Sequence, residues 1–271
     1  MLYIKVNYWC VVGLKPGESV VVNVHTCPEW IYITFGVILA GAIPLGYDFI
    51  QNDGGDLVDT LKQLKTCAML VLSPGNNYKN WEIVTKVIDS FKPNGEATCI
   101  QAPYLRYMIG HDFTNTGPHV KQLWDLLSDC NSDIPLPEAD TNDAAALFAT
   151  SGSTGSSKIA VHTHASMLSG RTMVDKGVYN NEFTFFNNDP LHWIGSFPFH
   201  LFYGQKRVTT TSLSKDELEK VKTLVHVIQE EECDVMLAWS LTLTSMLSGK
   251  VSDMINCPRV HILKSRVHII C

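Results

Sequence analysis

The sequence predicts an α/β fold in which helices cover mostly parallel, doubly wound sheets. Short apolar runs alternate with amphipathic segments, and residues 131–143 form a polar break rich in Asp, Asn and Pro. Such alternation is typical of parallel sheets, because each parallel connection needs a crossover segment that is usually a helix. We therefore expect two βαβ-type subdomains, over residues 1–130 and 144–271, joined by a linker at residues 131–143.

The first half of the chain begins with a buried strand at residues 19–24. Thr26 is predicted to cap the helix that follows, with Pro28 in the first turn and Gly41 at the end. The helix at 57–64 is predicted from leucines at helical spacing. The remaining elements, in chain order, are predicted as strand 42–45, helix 57–64, strand 68–72, helix 81–91, strand 97–101 and helix 120–127.

The second half repeats the alternation after the linker. Two apolar runs, at residues 144–149 and 159–163, are predicted strands that flank a loop of small residues. The elements beyond them are predicted as helix 166–176, strand 183–186, helix 193–202, strand 207–211, helix 215–230 and strand 234–238.

Composition excludes some classes of protein. The net charge is −6 and no cluster of Lys and Arg occurs, so a nucleic-acid partner is not expected. The N-terminal segment lacks the apolar core of a signal peptide, which favours an intracellular protein. None of the eight cysteines has C-x-x-C spacing, and we expect buried free thiols in a reducing compartment. The compartment itself is not predicted.

The stretch at residues 30–47 contains no charged residue and approaches the length of a membrane span. Glycines and a proline interrupt it at Gly36, Gly41, Pro44 and Gly46. A buried helix followed by a buried strand explains the same pattern, and we favour it over a transmembrane segment.

The loop at residues 150–158 carries the chemistry that the sequence predicts. Small hydroxyl residues alternate with glycines, and a lysine closes the loop. Such a loop suits a polyphosphate, because glycines allow backbone N–H groups to approach the oxygens while hydroxyls and a lysine add donors. The spacing is not that of a Walker A loop. A flexible linker is the alternative, but the flanking strands argue against it. The predicted phosphate-binding residues are Thr150, Ser151, Gly152, Ser153, Thr154, Gly155 and Lys158.

Residues 147–158 resemble the Y-T-S-G-T/S-T-G-x-P-K-G signature of the adenylate-forming enzymes, which include acyl-CoA synthetases and luciferases. Ser157 stands where the family has proline, and Ile159 stands where it has glycine. The resemblance covers nearly the whole chain. Further segments that resemble family motifs are residues 14–20, 28–30, 38–45, 161–164, 189–195 and 201–208.

The resemblance implies an ATP-dependent acid–CoA ligase with fatty acids as the favoured substrate class. Such an enzyme converts its acid to an acyl-adenylate and then to a CoA thioester. The resemblance also implies that ATP or AMP and Mg²⁺ are ligands and that CoA is a co-substrate. It also places His192, Trp193 and Gly195 beside the acid, although Trp193 is equally compatible with a core position.

Other family motifs have no counterpart here. The sequence lacks the Y-G-x-T-E run with its magnesium ligand, the T-G-D segment and the C-terminal lid with its lysine. We therefore assign no catalytic residue and no metal ligand, and His162 and His164 alone do not make a metal site. We expect a piece from the middle of the large N-terminal domain, inactive alone. The alternative is a catalytically dead fragment or an interaction protein that retains the fold.

Overall fold

The computed structural model describes residues 13–75, 78–113, 120–128, 135–150, 157–169, 183–210 and 216–237. The fold is mixed α/β, as predicted, and the chain divides into two compact units. The first comprises residues 1–168 with 191–194, and the second comprises residues 169–190 with 195–271.

The strands form three sheets. In chain order they are β1 Ser19–Asn23, β2 Ile43–Gly46, β3 Cys67–Leu72, β4 Ser90–Phe91, β5 Ala97–Thr98, β6 Tyr107–Gly110, β7 Ala144–Thr150, β8 Lys158–Thr163, β9 Thr184–Asn187, β10 Lys206–Val208 and β11 Val235–Leu237. The helices are α1 Pro28–Leu39, α2 Gly55–Gln63, α3 Lys79–Val84, α4 Leu123–Ser128, α5 His164–Leu168 and α6 Glu217–Glu230, with a 3₁₀ helix at Phe199–Tyr203.

A six-stranded sheet in the order β6-β3-β1-β2-β7-β8 organises the first unit. Its strands are parallel except β8, which runs antiparallel to β7. Strands β1 and β3 are buried along their whole length, as expected for central strands covered on both faces. The sequence places a second subdomain from residue 144 onward. In the structure β7 instead pairs with β2, so this strand and its partner β8 complete the first sheet.

Helix α1 accounts for the uncharged stretch at residues 30–47. Pro28 occupies its first turn, where a missing N–H is tolerated, but Cys27 rather than Thr26 is the N-cap residue. The helix ends before Gly41, whose φ of +76° turns the chain into β2. In the described parts of the chain, no helix is both long enough and apolar enough to cross a membrane.

The region around residues 81–110 differs from the prediction. One helix was predicted over residues 81–91, whereas α3 ends at Val84 and Phe91 joins the β4–β5 hairpin. Gly95, with φ of +92°, makes the turn of that hairpin. The edge strand β6 was not predicted, because its four residues are too short for an alternating pattern to stand out.

The second unit contains a three-stranded parallel sheet in the order β10-β9-β11. Helix α6 packs its apolar face with Phe186 of β9 in one core cluster. Asp216 caps this helix by accepting a hydrogen bond from the Glu219 N–H at 3.0 Å. The helix predicted at residues 193–202 is only a 3₁₀ helix from Phe199, because Pro198 cannot supply the N–H that a longer α-helix requires there.

The described cysteines are buried free thiols, as the sequence predicts. They are Cys27, Cys67, Cys99 and Cys233. The other four cysteines lie outside the described residues.

A bidentate ion pair closes the end of the first sheet where its parallel strands begin. Arg106 donates from both terminal nitrogens to the Glu18 carboxylate, each at 2.8 Å. The same guanidinium also donates to the Gly13 carbonyl at 3.1 Å. Burial by itself would raise the pKa of Glu18, but hydrogen bonds from Arg106 and from the Lys15 N–H, with their charges, lower it below 4.5.

We expect this pair to stabilise the fold only while Glu18 is ionised. A double-mutant cycle with Glu18→Gln and Arg106→Met should give a coupling of about 1 kcal/mol at pH 7, because both side chains remain partly exposed. The contribution is fully present above pH 4.5, the ordinary pKa, and is lost as the pH falls through the lower folded pKa. Urea unfolding at pH 7 and pH 3 measures it, and a coupling unchanged at pH 3 would contradict it.

Candidate functional site

The signature loop is held between the two strands of a hairpin, β7 and β8. Strand β7 is anchored by buried Leu147 and Phe148, which pair with Val161 and Ala160 of β8. The antiparallel register continues to the last pair, Thr150 with Lys158. The loop therefore leaves and re-enters the sheet at adjacent points, and its two ends are fixed by the ladder.

Thr150 and Lys158 are the two predicted phosphate ligands that the structure describes. The Thr150 hydroxyl donates to the Lys158 carbonyl at 3.2 Å, and both residues are exposed at the open end of the hairpin. The other predicted phosphate ligands lie outside the described residues; they are Ser151, Gly152, Ser153, Thr154 and Gly155. The Thr150 hydroxyl has one proton and donates it to this carbonyl, so the described part of the site offers an anionic ligand the exposed Lys158 ammonium group.

One of the two departures from the family signature has a structural role here. Ile159 packs in part against the large core cluster of the first unit, which a glycine would not do. The Ser157 carbonyl accepts a hydrogen bond from the Gln63 side-chain amide at 3.2 Å, which links the end of helix α2 to the returning end of the loop. A proline at residue 157 would keep this carbonyl, so the bond does not depend on the serine side chain.

Residues 187–196 carry the predicted acid-binding segment, and Arg207 of β10 binds both of its ends. The guanidinium donates to the Ser196 carbonyl at 2.6 Å, to the Asn187 carbonyl at 2.9 Å and to the Asp189 carbonyl at 3.2 Å. Burial lowers the pKa of Arg207 to about 10, against the opposing charge of Asp189. The side chain is therefore a cation at neutral pH.

Sequence reasoning missed Arg207, Asn187 and Ser196. The Asn187 amide oxygen accepts from the Asp189 N–H at 2.9 Å, and the Ser196 hydroxyl donates to the Asp189 carbonyl at 2.8 Å. A charged residue in a strand of three residues, next to Lys206, gives no pattern, since its partners are backbone carbonyls. The signal available in the sequence was an arginine at the start of the predicted strand 207–211.

The three residues predicted to face the acid lie where the chain passes from one compact unit to the other. His192 and Trp193 belong with the first unit, whereas Gly195 belongs with the second. His192 is half-buried beside Asp48, with 3.6 Å between its Nε2 and a carboxylate oxygen. It lies directly over β2, because a Cβ on Gly46 would come within 2.3 Å of the His192 Cβ. Trp193 is partly exposed, which does not fit a core position.

His162 lies in strand β8, and His164 directly follows that strand. The ring of His162 packs edge-on against Phe148, with 5.2 Å between centroids, and its Nδ1 lies 3.3 Å from the Ser166 hydroxyl. His164 begins helix α5. Neither takes part in a cluster of potential metal ligands among the described residues.

The family model for AMP-binding enzymes matches residues 11–266. The chain therefore belongs to the AMP-binding enzyme family, as the resemblance of the signature loop predicts. No curated protein sequence matches it.

The fold is that of known adenylate-forming proteins. The N-terminal domain of FACL13 from Mycobacterium tuberculosis superposes with a TM-score of 0.74 at 14% identity, over 96% of this chain and 59% of that one. The anthranilate CoA ligase AuaEII, in complex with anthranoyl-AMP, gives 0.73 at 14% identity over 93% and 46%. A luciferase-like enzyme from the nonluminescent mealworm Zophobas morio gives 0.69 at 12% identity over 93% and 55%. The chain thus spans about half the length of the solved structures that it matches.

Replacing Gly46 by alanine should displace the segment that carries His192. The added methyl would meet the His192 side chain and, at 3.1 Å, the Trp30 ring, so we expect a loss of about 1–3 kcal/mol in the free energy of unfolding. Urea unfolding followed by circular dichroism measures it. Gly17→Asn is the matched control, since its Cβ meets nothing within 4 Å and asparagine tolerates a positive φ. Equal effects of both substitutions would contradict the steric explanation.

Replacing Arg207 by lysine should destabilise the second unit although the charge is retained. An ammonium group cannot reproduce the planar fork that reaches three carbonyls, so we expect a loss of about 2 kcal/mol. Thermal unfolding is the measurement. Lys206→Ala serves as the control, because its ion pair with Glu231 is exposed. A variant as stable as the parent protein would show that the carbonyls do not depend on the guanidinium.

Proposed function

We propose that this protein is part of an ATP-dependent acid–thiol ligase that activates a carboxylic acid as its acyl-adenylate. The observation that carries the proposal is the β7–β8 hairpin, which fixes both ends of the hydroxyl- and glycine-rich signature loop in a chain of the AMP-binding enzyme family. Three of the similar structures are named as CoA ligases, one of them in complex with an acyl-adenylate.

The proposed reaction has two steps. The acid carboxylate attacks the α-phosphorus of ATP, which gives the acyl-adenylate and releases pyrophosphate. A thiol, which we propose to be CoA, then attacks the acyl carbon and releases AMP. In the first step the protein positions the phosphates and stabilises their charge.

The signature loop would supply the donors for the phosphates. In this proposal Lys158 binds the β- and γ-phosphates as a point charge at the re-entry of the loop. Thr150 adds a hydroxyl at its exit, and Ser151, Ser153 and Thr154 add hydroxyls between glycines that permit close backbone approach. The exposure of Thr150 and Lys158 at one mouth is compatible with this arrangement.

The acid would lie beside His192, Trp193 and Gly195. We favour a fatty acid, as the resemblance implies, although the similar structures are named for varied acids, which are anthranilate, benzoate and long-chain fatty acids. We assign no residue to Mg²⁺, because the sequence has no Y-G-x-T-E run to supply its glutamate.

The first test is ATP binding by the 271-residue protein, measured by equilibrium dialysis with labelled ATP. Lys158→Ala should weaken binding about tenfold or more, because a charge-assisted contact to phosphate contributes about 1.5–3 kcal/mol. Lys62→Ala is the matched control, since Lys62 is an exposed lysine on α2 of the same unit. Equal affinities for the two variants would remove Lys158 from the phosphate site.

Acid-dependent ATP–pyrophosphate exchange then distinguishes the candidate functions. Because this chain is expected to be inactive alone, we expect little or no exchange across a panel of fatty and aromatic acids. Exchange with one class of acid would show that expectation to be wrong and would name the substrate class. ATP binding without exchange for any acid favours the alternative, a catalytically dead or interaction protein that retains the fold. Phosphate release without any acid would point to a nucleotide hydrolase and overturn the ligase proposal.

A further inference from the structure

Three residues with metal-binding side chains meet where the parallel strands of the first sheet end. Cys27 and Glu29 belong to the start of helix α1, after β1, and His111 directly follows β6. Their potential ligand atoms, which are a sulfur, a carboxylate oxygen and a ring nitrogen, all lie within 4.8 Å of one another. This cluster is separate in sequence from the signature loop, which follows β7.

His111 has a buried nitrogen that needs a partner. The residue is only 3% exposed, and its Nδ1 lies 3.3 Å from the Ser73 hydroxyl. Its Nε2 is buried and has no hydrogen-bond partner among the residues that the structure describes. A buried polar nitrogen left in this state has lost its hydration without compensation, so an occupant that binds it would remove that penalty. Burial also lowers the pKa of His111, which keeps the ring neutral and able to donate a lone pair.

The contact with Ser73 prepares the ring for a metal. In the tautomer with the proton on Nδ1, that N–H donates to the Ser73 hydroxyl and leaves the lone pair on Nε2. Metal-bound histidines in proteins almost always donate their second ring N–H in this way, which orients the ring and raises its basicity. Ser73 directly follows the buried strand β3, so its position is fixed by the sheet.

Cys27 and Glu29 complement the imidazole. Cys27 is 8% exposed and occupies the N-cap position of α1, where its sulfur interacts with the backbone N–H groups of Glu29 and Trp30 and with the Glu29 carboxylate. Glu29 lies in the first turn and is half-buried. Burial, with the nearby Glu29 carboxylate, raises the pKa of Cys27 to about 11, and the thiol is protonated without a metal. On binding, its proton leaves to solvent and the sulfur binds as the thiolate.

We propose that Cys27, Glu29 and His111 form a transition-metal site whose chemistry favours Zn²⁺. One thiolate, one imidazole and one carboxylate are all established zinc ligands, and the two negative charges balance a divalent ion. Ligand atoms on a tetrahedral zinc are roughly 3.3 to 3.8 Å apart, which the observed cluster reaches with small side-chain movements. Hard cations such as Mg²⁺ prefer all-oxygen ligands and are disfavoured.

Three protein ligands leave a fourth position open. The ring of His25 has its centroid 6.0 Å from that of His111, and its side chain is exposed at the outer side of the cluster. Solvent or His25 would complete the tetrahedron. In either case the ion would link the β1–α1 connection to the end of β6 across β3, because the strand order is β6-β3-β1.

The test uses tag-free, metal-free protein and Co²⁺ as a spectroscopic substitute for zinc. We expect one equivalent of Co²⁺ to bind, with a thiolate-to-cobalt charge-transfer band in the near ultraviolet and the intense visible bands of tetrahedral cobalt. One equivalent of Zn²⁺ should abolish both. Cys27→Ser should remove the charge-transfer band, and His111→Gln should weaken binding at least tenfold. Cys99→Ser, which changes another buried thiol of the same unit, should leave the spectrum unchanged.

Thermal unfolding separates loss of the ligand from loss of the fold. Zn²⁺ should raise the Tm of the parent protein and of Cys99→Ser, but not that of Cys27→Ser, because only a protein that binds the ion in its folded state is stabilised by it. Glu29→Gln, a half-buried position that tolerates an amide, should bind more weakly without unfolding. Absence of a one-to-one cobalt complex, or a charge-transfer band that survives Cys27→Ser, would overturn the proposal.

Discussion

The parallel pairing of β1 with β2 and β3 is the constraint on which the first unit depends. These central strands are buried on both faces, so a change of register would move each side chain to the opposite face and disrupt the packing of their valines and leucines. All strands of the six-stranded sheet except β8 run in the same direction. The segments that follow them therefore lie together at the carboxyl ends of the strands. Polar and reactive side chains that are far apart in sequence become neighbours there.

Two groups of residues lie at this end of the sheet, in different surroundings. The signature loop leaves β7 at Thr150 and returns through β8 at Lys158, so an antiparallel partner at the sheet margin frames it. The Cys27, Glu29 and His111 cluster sits at the ends of β1 and β6 instead. The described ends of the signature loop are exposed, which suits the charged ligand that we propose there, whereas the cluster is largely buried and suits a small ion. The two proposed sites share no residue.

A buried cation has the organising role in the second unit. Arg207 reaches three carbonyls of residues 187–196, and these bonds offset the desolvation that lowers its pKa to about 10. In the first unit, His192 lies against Gly46, where any larger residue would clash. Hydrogen bonds from the Arg207 guanidinium thus hold the segment that carries the candidate acid-binding residues. His192 of this segment fits against Gly46 because glycine has no side chain.

The sequence by itself determined the α/β class, the central strands and the family. Those features are local: apolar runs such as residues 19–24 and 68–72 predict buried strands, and the signature at residues 147–158 is contiguous. Helix α1 was also predicted almost to the residue, because Pro28 and Gly41 mark its ends. Short elements were predicted less well, since β6 and the β4–β5 hairpin are defined by partners rather than by their own pattern.

Only the tertiary structure decided which distant residues meet. Nothing in the sequence places His111 beside Cys27, and their spacing matches no metal motif. In the structure β6 and β1 end on the same side of the sheet, with only β3 between them. Likewise, Arg207 acts through backbone carbonyls, which every residue possesses and no pattern reveals. Local periodicity records which face of an element is buried, while strand order and register decide which side chains and carbonyls lie across from one another.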